Sequence, residues 1–190
     1  MRISPFVFIC LLALAITACK ENEKKSNDKF PVHSFIQSQV AMADSSLLPL
    51  RLITNTTDST KDTLYFERSQ FRKYAEEFLS LPDLTDAAYD NRFTETSTYD
   101  PDLNRLIIYQ LPVNAEKEFI QRQELLVEPN VSNNQIKTVI VNTAAISKDS
   151  AIEKRMIWNV NESFQVTKIK QVAGEEEEIT TYRVEWNINE

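Results

Sequence analysis

The chain has 190 residues, a formal charge of −7 from 21 Lys and Arg against 28 Asp and Glu, one glycine and one histidine. A single glycine excludes glycine-rich phosphate loops and dinucleotide fingerprints, which need several glycines at fixed spacing. The acidic balance argues against nucleic acid as a partner, which calls for Lys and Arg clustered along one face, and against a polybasic hold on a membrane surface.

The first element is an N-terminal segment in which Arg2 precedes an apolar run, Pro5 to Ile16, that ends at Thr17-Ala18-Cys19. A basic start, apolar middle and small residues at the end make the layout of a secretory signal peptide. The run is shorter than the roughly 20 apolar residues that a transmembrane helix needs. The tetrapeptide Ile16-Thr17-Ala18-Cys19 resembles the bacterial lipobox, where a lipoprotein signal peptidase cuts before the cysteine. That resemblance implies a mature chain that begins with a lipidated Cys19, its acyl chains being the membrane contact. The alternative is an ordinary cleaved signal with an incidental cysteine. Cleavage removes Cys10 and Arg2, so the charge goes from −7 to −8, and a capped Cys19 leaves a domain without a disulfide.

Residues 20–29 contain no apolar side chain and read as a solvated tether. Lys20 rather than Asp after the cysteine argues against retention in the inner membrane. Lys20-Glu21 with Glu23 resembles the short export signals of Bacteroidota surface lipoproteins. The expected organisation is a signal peptide over 1–18, a tether over 19–30 and a single α+β domain over 31–190. The expected address is the outer membrane, on its periplasmic face or the cell surface.

Within the domain, Val32, Phe35, Ile36, Val40 and Ala43 fall at helical spacing, so 32–43 is predicted to be an amphipathic helix with Pro31 in its first turn. A strand over 47–54, a turn-rich loop over 55–62 and a strand over 63–66 follow. A second helix is predicted over 69–81, with Phe71, Tyr74, Phe78 and Leu81 buried, Ser69 as cap and Pro82 as stop. From Arg92 the pattern alternates with a period of two. Strands are predicted over 92–99, 104–111, 117–127, 135–143, 151–160, 163–172 and 178–188, joined by short turns that pair neighbours antiparallel.

The predicted fold is α+β: a strongly curved antiparallel meander of about seven to nine strands, half-barrel or barrel-like, with two main helices from the N-terminal half packed against it. Several middle strands are apolar on both faces, such as Leu106–Tyr109 and Val139–Val141. Two coverings are therefore needed: helices on one side, and either a lined cavity or the opposite wall of a closed sheet on the other. This layout resembles periplasmic lipoprotein-carrier folds in outline, and also uncharacterised Bacteroidota envelope lipoproteins.

No catalytic set emerges. His33 stands alone, without the converging ligands that a metal site requires, and no Gly-x-Ser-x-Gly elbow exists. Asp100, Asp102 and Asn104 open like a calcium loop, but Arg105 and Leu111 stand where the loop needs Gly and Glu, so a plain turn is expected. Glu175–Glu178 read as an exposed hairpin turn. No carboxylate pair can be chosen for glycoside hydrolysis. No metal or cofactor is expected. Asp58-Ser59-Thr60, Asp62-Thr63-Leu64 and Asp149-Ser150-Ala151 each resemble the acceptor motif of Bacteroidota O-glycosylation, making Ser59, Thr63 and Ser150 candidate acceptors, all expected in loops.

Three functions remain open: a lipid-anchored, non-catalytic protein that contacts another envelope protein; a carrier holding an apolar ligand or lipid in a cavity of the sheet; and a carboxylate-based hydrolase. The first is the expectation, with the membrane reached through the lipid.

Overall fold

A computed structural model describes residues 29–55, 61–129 and 134–186. Cys19, nearly all of the tether and Ser59 lie outside them. Helix α1 (Val32–Ser45) forms where the apolar stripe predicts it, burying Val32, Ile36, Val40 and Ala43. Pro31 stands just before it with φ −79°, close to the value that its ring imposes. The chain turns extended at Ser46, and no strand begins until Arg51. In residues 47–50 Pro49 has no N–H for a ladder, and the Arg68 guanidinium takes the Leu48 carbonyl together with that of Ala43.

The second helix differs from its prediction. A 3₁₀ turn at Arg68–Gln70 leads into two short helices, α2 (Phe71–Tyr74) and α3 (Glu76–Leu79). At the break the ladder tightens, with the Ala75 carbonyl accepting from both Phe78 N (3.0 Å) and Leu79 N (3.1 Å). Ala75 is fully buried, so this turn brings the backbone itself against the core. Ser69 does not cap; its hydroxyl reaches Glu67 at 3.5 Å. The stripe is still right: Phe71, Phe78 and Leu81 are buried and Tyr74 is half-buried.

Nine strands form one antiparallel sheet. They are β1 (Arg51–Asn55), β2 (Lys61–Tyr65), β3 (Phe93–Asp100), β4 (Arg105–Pro112), β5 (Ile120–Glu128), β6 (Gln135–Ile146), β7 (Ser150–Asn159), β8 (Ser163–Val172) and β9 (Glu178–Glu185). Their order is β2-β1-β9-β8-β7-β6-β5-β4-β3. The expected seven-strand meander is present, and the β1–β2 hairpin continues it beyond β9. The sheet does not close into a barrel. β2 and β3 are its two edges, with helices rather than a second sheet wall facing the core side. Asn104, Asn161 and Gly174 supply positive φ (49°, 62° and 84°) at the β3–β4, β7–β8 and β8–β9 turns.

Register places one residue from every strand in a single row: Leu64, Leu52, Val184, Phe164, Trp158, Val139, Leu125, Ile108 and Ser97. This row defines the inner face, onto which the helices pack. Trp158 stacks on Phe164 (centroids 5.1 Å, interplanar 14°). Phe78 meets both edge-on at 5.2 and 5.5 Å, and Phe71 meets Phe164 and Trp186 at 5.9 and 5.4 Å. Edge-to-face and offset arrangements suit the ring quadrupoles and add about 0.5–1.5 kcal/mol per pair beyond area burial. The space between α2–α3 and the middle of the sheet is thus filled with rings.

Candidate functional site

Three features are candidates for function: a groove beside α2–α3, the outer face of the sheet, and the point where the N-terminal segment joins the domain.

The groove, of about 520 Å³, opens between the helical segment and the β1–β9 part of the inner face. Leu52, Thr54 and Tyr182 form its floor, and Lys73, Glu76 and Glu77 are on its wall. Thr54 and Tyr182 are register partners, so β1 and β9 deliver them side by side. The Tyr182 hydroxyl donates to the Tyr74 carbonyl (3.1 Å), tying sheet to helix. Burial, reinforced by the charges of Glu77 and Glu76, pushes the Tyr182 phenol well above its usual range. Lys154 of β7 forms an ion pair with Glu77. The floor is mixed, apolar at Leu52 and polar at Thr54 and Tyr182, and the wall carries Lys73 and two carboxylates, of which Glu77 is paired with Lys154.

The outer face alternates apolar and charged side chains. Ile140 and Ile157 are register partners, as are Ile107 and Leu126. Ile107 is only 7 % exposed, with Leu126 as its cross-strand neighbour. Flanking charges pair among themselves: Arg122 with Glu124 (2.7 Å), Arg183 with Glu185 (2.7 Å) and Arg51 with Glu185. Arg122 also lies 4.8 Å over the Tyr109 ring. The helical segments make their contacts on the inner face, through Phe78 on Trp158 and Lys154 with Glu77.

The third feature is a polar clamp. The Phe30 N–H donates to Glu95 Oε2 (2.7 Å), and the Gln110 amide donates to both the Phe30 carbonyl (2.8 Å) and the same Glu95 oxygen (2.8 Å). Gln110 is fully buried. The clamp fixes where the N-terminal segment leaves the domain: on the inner face at the β3–β4 end of the sheet.

The residues singled out from sequence are scattered. His33 Nε2 is 3.1 Å from the Leu79 carbonyl, a contact that links α1 to α3, and 3.4 Å from the Gln37 amide nitrogen. Asp100 Oδ1 accepts from the Asp102 and Leu103 N–H groups (both 3.0 Å), which is turn chemistry. Glu175–Glu178 are exposed, with Glu178 3.7 Å from Lys170. Thr63 lies inside β2, exposed, rather than in a loop. Ser150 opens β7, half-buried, and its hydroxyl is 2.8 Å from that of Ser147. Among the described residues no three His, Cys, Asp or Glu converge as a metal site, and no helix is long and apolar enough to cross a membrane. Sequence reasoning missed the clamp and the groove alike. The pairing of Glu95 with Gln110 at a hairpin could have flagged the clamp, but the groove had no local signal.

Comparison with protein-family models, curated proteins and solved structures gives no match. Function must therefore be read from this chain's own surfaces.

Proposed function

We propose that the protein is a lipid-anchored envelope lipoprotein, attached through Cys19, with a non-catalytic role exercised by contact with another envelope protein. The observation that carries the contact role is the outer face, where Tyr109, Leu126, Ile140 and Ile157 stand half-buried among ion-paired side chains, with the Arg122–Glu124 pair lying between Tyr109 and Ile140. A surface that mixes apolar side chains with mutually neutralised charges is of the composition that non-obligate protein contacts use. In this reading the sheet curves strongly about the helical layer. Flat, the seven strands from β1 to β4 would span about 29 Å at the usual strand spacing. Yet α1, about 21 Å long, runs from the clamp at β4 to the Arg68 and Arg72 contacts near the start of β1.

Anchoring is tested by membrane fractionation and fatty-acid labelling of the full chain. Label and sedimentation with membranes that are both lost in Cys19→Ala support the anchor; a soluble, unlabelled parent chain overturns it. In-cell crosslinking from Ile140 and Tyr109 tests the contact role, and adducts confined to positions off this face would overturn it.

A second reading, carriage of an apolar ligand, has the groove over Leu52 and Tyr182 in its favour. Native mass spectrometry of the chain from its own envelope tests it: a bound lipid of defined mass supports carriage, and a bare polypeptide mass removes it.

A further inference from the structure

Edge strand β3 lacks the shortness, lysine, proline and bulge that keep many sheet edges from pairing, and its inward charge, Glu95, is taken up by the clamp. Its opposite number β2 is five residues long and begins Lys61-Asp62. Short length and charge are the ordinary protections of an edge. β3 is eight residues long, Phe93-Thr94-Glu95-Thr96-Ser97-Thr98-Tyr99-Asp100, with no proline, lysine or bulge. Thr94 and Thr96 through Tyr99 are exposed. Glu95, the one charge inside the strand, is engaged by Phe30 and Gln110 on the inner face.

The backbone phase is known. Val113 N donates to Arg92 O (2.8 Å), so Arg92 faces β4, and the regular β3–β4 register carries that alternation onward. Thr94, Thr96 and Thr98 therefore turn their N–H and C=O groups to β4. Phe93, Glu95, Ser97 and Tyr99 turn theirs to the open edge, and among the described residues no backbone bond from outside the sheet reaches them.

We propose that this edge binds a second copy of the chain: two β3 strands pair antiparallel about a two-fold axis at Thr96, joining both sheets into one. Only a register that sets odd residues opposite odd residues matches the outward groups. Centring on Thr96 does so, placing Phe93 opposite Tyr99, Thr94 opposite Thr98, Glu95 opposite Ser97 and Thr96 opposite itself. Arg92 then faces Asp100 just beyond. Each outward pair exchanges two backbone bonds, about eight in all. The pairs include aromatic with aromatic and Thr with Thr, Glu95 meets an uncharged Ser97, Arg92 (already paired with Glu118) meets Asp100, and no like charges meet. Of the two neighbouring in-phase registers, the one centred on residue 95 would oppose two Glu95 carboxylates, and the one centred on residue 97 would set Glu95 opposite Tyr99 and leave Phe93 without a partner inside the strand.

The axis also disposes the N-terminal segments consistently. It runs perpendicular to the sheet, so both inner faces lie on one side. The two clamps at Glu95 then come roughly 8 Å apart, judged from strand spacing and rise, and both tethers leave the same face beside the axis. Two anchors can then enter one membrane, and shared anchoring raises the effective concentration of the copies. This last point rests on the anchored reading; the pairing itself does not. The tether is the other segment near this edge, but its run of charge and absence of apolar residues suit it poorly to a strand.

Disulfide trapping in the full chain tests the register. Thr96→Cys sits in a non-hydrogen-bonded pair on the axis, close enough to bridge to its copy. Expected is a non-reducing dimer band that the parent chain and Thr94→Cys lack, and that reappears in the double variant Thr94→Cys/Thr98→Cys. Ser97→Pro, which removes only an outward N–H, should abolish the Thr96→Cys band with the far-UV circular dichroism unchanged. A natively folded Thr96→Cys chain that gives no more dimer than Thr94→Cys overturns the proposal, whether β3 is free or taken by the tether. A band that survives Ser97→Pro overturns it too. The same trapping in detergent separates this result from the anchor: a crosslink there supports pairing whether or not Cys19 carries lipid.

Discussion

Glu95 and Gln110 face each other across β3 and β4, and between them they satisfy both backbone groups of Phe30 with bonds of 2.7 and 2.8 Å. Glu95→Leu strands the Phe30 N–H and one bond of the Gln110 amide together. Hydrogen bonds to charged groups are worth about 1.5–3 kcal/mol, so a loss of about 2–3 kcal/mol is expected in urea unfolding. Limited proteolysis should cut the N-terminal segment of this variant faster than that of the parent.

Gln110 and its cross-strand neighbour Gln123 should respond differently to the same change. Both are buried, and the Oε1 of each has no partner. Gln110 still donates twice, while among the described residues no side-chain bond of Gln123 is seen. Gln123→Met should therefore be neutral or raise stability by about 1 kcal/mol, whereas Gln110→Met should lower it by about 1–3 kcal/mol. Equal losses in chemical denaturation would contradict this division.

Phe78 is the ring through which α3 meets the Trp158–Phe164 stack. Truncation of a buried Phe to Ala typically costs about 3–5 kcal/mol. Phe78→Ala should cost that much and flatten the near-UV circular dichroism of the tryptophans. A smaller loss with unchanged near-UV signal would mean that the helical segment contributes little to core order.

Arg92 holds the Glu118 carboxyl below its usual range, chiefly through the side-chain hydrogen bond. A carboxylate with a depressed folded-state pKa binds fewer protons folded than unfolded. Its contribution is therefore full above the unfolded value, near pH 4.3, and fades as pH falls through the folded one. Glu118→Gln should lower the melting temperature at pH 7, with the difference from the parent narrowing below about pH 4. At the alkaline end, the raised Tyr182 phenol keeps its proton in the fold longer than in the unfolded chain. Its contribution is full below about pH 10 and is lost above it. Tyr182→Phe should make the melting temperature less sensitive to alkali between about pH 10 and 12.

Much of the architecture could be read from periodicity. The stripe from Val32 to Ala43 gave α1, and strict alternation through β7, β8 and β9 gave three strands to within a few residues. What could not be read depended on contacts far apart in the chain. The Leu48 carbonyl goes to Arg68, twenty residues on, rather than to a strand partner, and full burial of Ala75 came with a tightened turn that no local pattern marks. Apolar residues on both strand faces suggested a closed wall or cavity. Instead, one face meets helices, and on the other Ile107 is buried with Leu126 as its cross-strand neighbour. The groove eluded the sequence because its floor joins Thr54 to Tyr182 and its wall comes from a third segment.

The pairing of β1 with β9 has a further effect, on the order of assembly. Arg51 lies beside Glu185, so the hairpin nearest the start of the domain finds its place in the sheet only after nearly the whole domain has been delivered. While the chain emerges, β1 and β2 are an isolated hairpin, too small to persist in water. The meander can grow strand by strand from β3, each hairpin closing a short loop, and it stays incomplete until β9 arrives. Such long-range closure slows folding. A chain cut short before Glu178 would leave β8 as a second open edge and strand the N-terminal hairpin, exposing an unfinished sheet to its neighbours.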